Sequence, residues 1–163
     1  MGIGDCHVSS NPADVLVTYA LGSCICVTLH DRAAHVGGLL HILLPDSGLD
    51  MPRAKENPFL FADTGVPLLL QRAYSLGARR ERLVVNLAGG AQMSIAANLL
   101  EVGPKNIRAT REVLAQTGIK ISNQAVGGAV ARTVRLKVDT GEVILQQTQT
   151  EQGKVAAGQV TLV

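Results

Sequence analysis

Three cysteines and four histidines carry most of the reactive chemistry in this chain, and the segment TYALGSCICVTLHD, Thr18 to Asp31, concentrates it. Cys24 follows a tight Gly22–Ser23 corner, Cys26 comes two residues later, and His41 lies a short way on. A thiolate is a nucleophile, and an imidazole within reach can take the thiol proton or hold it as an ion pair. Once protonated, the same ring can hand that proton to a leaving amine. The Leu-Gly-Ser corner frees backbone N–H groups where a tetrahedral oxyanion would sit, so Gly22 and Ser23 are candidate substrate or oxyanion contacts. A third group must hold the ring, and Thr18, six residues before Cys24 on the adjoining strand, is the candidate.

This chemistry needs two strands to bring the groups together. Ile25 to His30 alternates and Val36 to Leu44 is a second apolar run, with Asp31-Arg32-Ala33-Ala34 between them as a turn. Successive side chains on a strand point to opposite faces. One face carries Ile25, Val27 and Leu29; with a two-residue turn their partners are Leu40, Ile42 and Leu44. The other face carries Cys24, Cys26, Thr28 and His30, with Leu39, His41 and Leu43 opposite. That register sets Cys24 directly across from His41, or diagonal to it after a two-residue slip, and side chains reach each other across either separation. A one-residue slip would bury His41 in the core and expose three aliphatics, so the face is specified.

The remaining chain reads as one α+β domain over residues 1–163. Its composition is 47% hydrophobic and 17% charged, which excludes a disordered chain, and at 2% aromatic the core must be aliphatic. Val15 to Tyr19 and Leu83 to Leu87 read as strands. Asp63 reads as the cap of a helix to about Leu76, and Pro104 as the opening of another that stops at Gly118. Ile119 to Ser122 reads as a short strand, and Thr133 to Asp139, Thr140-Gly141 and Glu142 to Thr148 as a hairpin. The last dozen residues are weakly patterned. Strands in hairpins outnumber helices, which favours a mixed or antiparallel β-sandwich flanked by helices.

Net charge is +2, and the one basic cluster, Arg79, Arg80 and Arg82, has no interleaved aromatics, so nucleic-acid binding is not indicated. An odd cysteine count argues against a disulfide scaffold. No apolar run is long enough to span a membrane, and cytoplasmic localisation is the expectation. Cys26 with His30, His35 or His41 offers a zinc alternative, weakened because no second ligand pair follows; Cys26 reads better as a packed small hydrophobe. Cys6 reads as incidental, and His7, His30 and His35 as solvent-facing or turn residues. Gly-Ser-Cys also opens papain-like sites, but the long-range Cys…His…Asn layout is missing.

The whole string VTYALGSCICVTLHDRAAHVGGLLHILLPDSG resembles the signature of the CheD-type chemoreceptor glutamine deamidases. FADTGVPLLLQ, NLAGGAQM, VGPKNI and GGAVARTVRLKVDTGEV extend the resemblance over nearly the whole chain. It implies Cys24 as nucleophile, His41 as its histidine and Thr18 as the third residue, with no metal or organic cofactor. It implies a fold similar to the cytotoxic necrotizing factor toxins. The implied substrates are glutamines on chemoreceptor cytoplasmic helices, and the implied partner is a CheC-type phosphatase. A non-catalytic role as binding partner and activator of that phosphatase is the alternative. The helix near Asn106 to Gln116 is the candidate partner surface. Val126, Ala129 and Val130 depart from the polar or basic residues of the family pattern, which bears on substrate or partner choice.

Overall fold

Ile25, Val27 and Leu29 do share a buried face, and what covers it is helical. The structure, a computed structural model, describes residues 1–93, 99–151 and 154–162. Strands β1 (Cys6–Ser9), β2 (Val15–Leu21), β3 (Ile25–Asp31) and β4 (Val36–Ile42) come first. Helices α1 (Met51–Glu56) and α2 (Ala62–Ser75), strand β5 (Val84–Gly89) and helix α3 (Val102–Gln116) follow. The chain then runs through β6 (Asn123–Val126), β7 (Ala131–Lys137), β8 (Val143–Glu151) and β9 (Lys154–Leu162).

The strands form two sheets. One has the order β1-β4-β3-β5-β6 and the other β2-β7-β8-β9. The second is antiparallel throughout; the first is mixed, because β5 and β6 run parallel. Two apolar layers result. Ile25, Val27, Leu29, Leu40 and Ile42 pack against Val66, Leu69, Leu70 and Ala73 of α2 and Leu114 of α3. Cys24, Cys26, Leu39 and Ala88 face Leu16, Leu21, Val134, Leu136 and Leu145 of the other sheet. The architecture is a β-sandwich with its helices on one outer face, as the strand count indicated. Each fully buried aliphatic side chain contributes about 1.5–3 kcal/mol through removal from water.

The β3–β4 hairpin departs from a two-residue turn. Asp31 pairs with Val36, so the loop has four residues, Arg32–His35. The Asp31 carboxylate decides this, because it accepts the N–H groups of Ala33 and Ala34 and so fixes the loop backbone. His35 closes the turn with φ 52°. The extra residues move the register by two: Ile25 pairs with Ile42 and Val27 with Leu40, and Leu44 lies beyond the ladder. The Asp31 carboxylate also accepts the Arg79 N–H and the Arg82 guanidinium, tying the hairpin tip to the segment after α2.

Several other expectations change. Asp63 sits inside the first turn of α2, not at its cap, and accepts from Ser47 N–H and Oγ. The strand expected at Ile119 to Ser122 lies slightly later, at Asn123–Val126. β9 was hidden in the weakly patterned tail because its partner β8 supplies the ladder rather than alternation of its own. Val126 is half-buried against the helix-side core, which accounts for an apolar residue there. No helix among the described residues is long and apolar enough to cross a membrane.

Candidate active site

The shifted register selects the diagonal arrangement of Cys24 and His41. His41 pairs directly with Cys26, and Cys24 stands two residues further along the same face. All three side chains point between the sheets, at the start of β3 where the chain enters the ladder. Cys26 is fully buried among apolar neighbours, and burial alone pushes its thiol far up. It is the packed small hydrophobe that the sequence suggested. Cys24 keeps 8% exposure, and Gly22 and Ser23 beside it are half-buried, so the corner reaches solvent.

Thr18 reaches His41 from the opposite sheet, not from a neighbouring strand of the same one. Its Oγ1 lies 2.8 Å from His41 Nδ1 and donates to the Met1 carbonyl at 3.1 Å. A hydroxyl has one proton, and a carbonyl oxygen can only accept. With that proton on Met1 O, Thr18 Oγ1 must accept from Nδ1–H of the neutral ring. The tautomer is therefore Nδ1–H, which leaves the Nε2 lone pair free. Among the described residues, the buried Nε2 has no hydrogen-bond partner, Cys24 included. The His41 backbone is held from both sides, its N–H by Asp5 O at 3.0 Å and its carbonyl by Gly4 N–H at 2.9 Å.

Burial depresses His41 to about 4, with the Asp5 carboxylate pulling the other way. Burial raises Cys24, partly offset by its own backbone N–H. Both shifts favour neutral thiol beside neutral imidazole over the ion pair. The resting site thus holds a thiol with a base of fixed tautomer beside it.

The corner ahead of Cys24 is anchored through its carbonyls. Gly22 O accepts from Ala91 N–H at 2.8 Å, Cys24 O from Gly90 N–H at 2.7 Å, and Ser23 O from Asn106 Nδ2 at 3.0 Å. Among the described residues, the N–H groups of Gly22, Ser23 and Cys24 donate to no backbone carbonyl outside the strand ladders. Gly89 makes the anchoring feasible: its φ is +107°, and a Cβ there would stand 2.2 Å from Cys24 O. The Gly127–Gly128 loop closes over the same place, with Gly127 N–H on Gly89 O and Gly128 O accepting from Gln92 N–H. Met93, 53% exposed, lies over the corner; a Cβ on Gly22 would be 3.5 Å from its sulfur.

Other sequence candidates fall elsewhere. His30 is buried, not solvent-facing, and its Nε2 pairs with Val138 O at 2.9 Å; the Gly141 turn packs against its ring. His7 and His35 are exposed. Cys6 is half-buried, pushed up to about 11 by burial, with Arg72 opposing. Among the described residues no three His, Cys, Asp or Glu side chains gather as metal ligands. Asn106 is fully buried instead of facing a partner, and the exposed face of α3, with Lys105, Arg108, Arg111 and Glu112, is charged. Sequence reading missed Asn106 as a site residue; its place inside VGPKNI was the available signal.

Comparison with known proteins places the chain in a family. A family model described as CheD chemotactic sensory transduction matches residues 43–147. A probable chemoreceptor glutamine deamidase CheD of Solibacter usitatus (strain Ellin6076) is 45% identical over 147 residues, covering 90% of this chain and 87% of that protein. This chain belongs to the CheD family. Within the family it is also similar to the protein of the same description from Pyrococcus abyssi (strain GE5 / Orsay), 40% identical over 162 residues, with 98% of this chain and 93% of that one covered. A third, from Methanococcus maripaludis (strain C6 / ATCC BAA-1332), is 39% identical over 146 residues, 89% of this chain and 92% of that one. The matched family region begins just after His41, whereas these pairwise matches take in most of the chain.

Proposed function

We propose that this chain is a chemoreceptor glutamine deamidase acting in chemotaxis, with Cys24 as nucleophile, His41 as general base and acid, and Thr18 holding the ring. Membership of the CheD family and the names of its relatives support the reaction. The observation that carries the residue roles is the Thr18–His41 pair, which frees Nε2 on the face that Cys24 shares.

The chemistry follows from the neutral resting pair. Cys24 Sγ attacks the carbon of a glutamine carboxamide while His41 Nε2 takes the thiol proton. The C–S bond forms, and the carbonyl π pair moves to oxygen. The N–H groups of Ser23 and Cys24 meet that oxyanion, with Gly22 shaping the turn. Thr18 Oγ1 accepts Nδ1–H throughout, so the imidazolium does not rotate away. The tetrahedral centre then collapses: the C–N bond breaks, and His41 gives its proton to the departing nitrogen, which leaves as ammonia. A thioester remains. His41 takes a proton from water as the water oxygen adds to the thioester carbon. The C–S bond breaks, the thiol recovers its proton, and glutamate replaces glutamine. Each modification adds one negative charge to the receptor.

The substrate segment is a receptor cytoplasmic helix, met at the Met93 side of the corner, and the reaction is cytoplasmic. A CheC-type phosphatase is the proposed second partner; Cys24→Ala should bind it as the parent does. The decisive experiment incubates the protein with a receptor cytoplasmic fragment and follows ammonia and the gain of about one mass unit per converted glutamine. Parent activity that survives unchanged in Cys24→Ala refutes the nucleophile.

A further inference from the structure

Asn106 contributes something that the Cys-His-Thr description does not contain. Its side chain is fully buried at the start of α3 and has two donors and one acceptor position to satisfy. Nδ2 donates to Ser23 O at 3.0 Å and to Leu43 O at 2.9 Å. Both partners are carbonyl oxygens, so the nitrogen, not the oxygen, must lie there. Among the described residues, the buried Oδ1 has no partner. The side chain is turned so that both of its donors are used at this point.

Those two donors meet the two segments that hold the reacting groups. Leu43 lies two residues after His41, just past the end of β4. Ser23 immediately precedes Cys24. The Ser23 carbonyl also belongs to the peptide unit whose N–H is that of Cys24. A trans peptide is planar, with C=O and N–H pointing in opposite directions, and no peptide bond among the described residues is cis. Pinning Ser23 O inward therefore aims the Cys24 N–H outward.

We infer that Asn106 is a positioning residue for the oxyanion site: its amide fixes the direction of the Cys24 N–H and holds the nucleophile's corner against the histidine's strand. The inference rests on the proposed nucleophilic role of Cys24. The α3 backbone approaches the end of β5 independently of the amide, since a Cβ on Gly103 would stand 2.4 Å from Gly90 O. Loss of the amide alone should therefore leave the helix seated while the corner peptide turns.

The test compares the parent, Asn106→Ala, Asn106→Asp and Cys24→Ala on a receptor cytoplasmic fragment, with rates expressed per folded molecule, the folded fraction taken from the circular dichroism unfolding curve of each protein. Asn106→Ala should lose about a hundredfold in kcat, the scale of one misdirected oxyanion donor, with KM changed less than about threefold. Asn106→Asp carries the finer readout. Protonated, its carboxyl donates one hydrogen bond; ionised, it donates none and faces carbonyl oxygens. Its kcat should recover as pH falls toward about 5, where the parent's stays level. If Asn106→Ala does not fold, this pH profile decides alone. A kcat per folded site within threefold of the parent, or an Asn106→Asp kcat that is low and flat with pH, overturns the inference. Full activity in Cys24→Ala would instead overturn the nucleophile assignment beneath it.

Discussion

Thr18 and His41 belong to different sheets, yet Oγ1 and Nδ1 lie 2.8 Å apart across the sandwich. The contact ties the histidine's tautomer to the packing of one sheet on the other. Anything that separates the sheets at this end also releases the ring.

Thr18→Ala should lower kcat about ten- to a hundredfold, less than the whole contribution of a general base, about 10²–10⁴-fold. The ring keeps its nitrogen but loses the partner that selects Nδ1–H. Thr18→Ser retains the hydroxyl and should restore most of the rate. Steady-state ammonia release from the three proteins checks this; equal rates for the Ala and Ser variants would remove the orienting role.

The two neighbouring cysteines should separate cleanly. Cys24→Ala should bring activity down by at least about 10³-fold, because no other group can form the thioester. Cys26→Ala should keep kcat within about threefold and show its effect in urea unfolding instead. Cys26→Ser should be less stable by about 1–3 kcal/mol, since a buried hydroxyl would need a partner.

The pH dependence follows from a neutral pair. His41 must be unprotonated to accept the thiol proton, and burial sets it near 4; Cys24 stays protonated past its ordinary value of 9.0. kcat/KM should be level from about pH 5 to pH 9 and fall in acid with a midpoint near about 4. Alkylation of Cys24 by iodoacetamide should rise only above pH 9. An acid midpoint near the ordinary histidine value, or rapid alkylation at pH 6, would instead indicate a resting ion pair.

The same depression makes His41 a source of acid sensitivity. Its folded value of about 4 lies below its ordinary 6.5, so the unfolded chain takes the proton first. Its contribution is complete above about pH 6.5 and is lost as pH falls through about 4. The loss amounts to about 3 kcal/mol. Urea unfolding at pH 7, 5.5 and 4.5 should show a steeper decline for the parent than for His41→Gln.

Gly89→Ala should disrupt the nucleophile's corner from behind. The added Cβ meets Cys24 O at 2.2 Å, on a backbone with φ +107°. Both effects penalise the native state by about 2–4 kcal/mol. Thermal unfolding should report the loss, and activity per folded molecule should fall because Cys24 has moved.

Much of this site was legible before any coordinates. Ile25, Val27 and Leu29 alternate with Cys24, Cys26 and Thr28, so the aliphatic set had to turn one way and the thiols the other; period two leaves no third choice. Which residue lies opposite His41 was not legible to the same degree. The answer depended on the Asp31 side chain accepting two loop N–H groups and lengthening the turn, a preference that alternation does not encode.

By itself, then, the chain's pattern determined the face that the thiols share and the sandwich class, and it pointed to Cys24, His41 and Thr18 as the candidate site. Local chemistry suffices for the face, because strand geometry and side-chain type act over a few residues. Tertiary structure alone decided that Thr18 arrives from the facing sheet, that His30 is buried and not exposed, and that Asn106 turns inward to clamp the corner. Those contacts join residues 23, 108 and 83 positions apart, and only the packing of sheet on sheet and helix on sheet brings such distant groups within hydrogen-bond range.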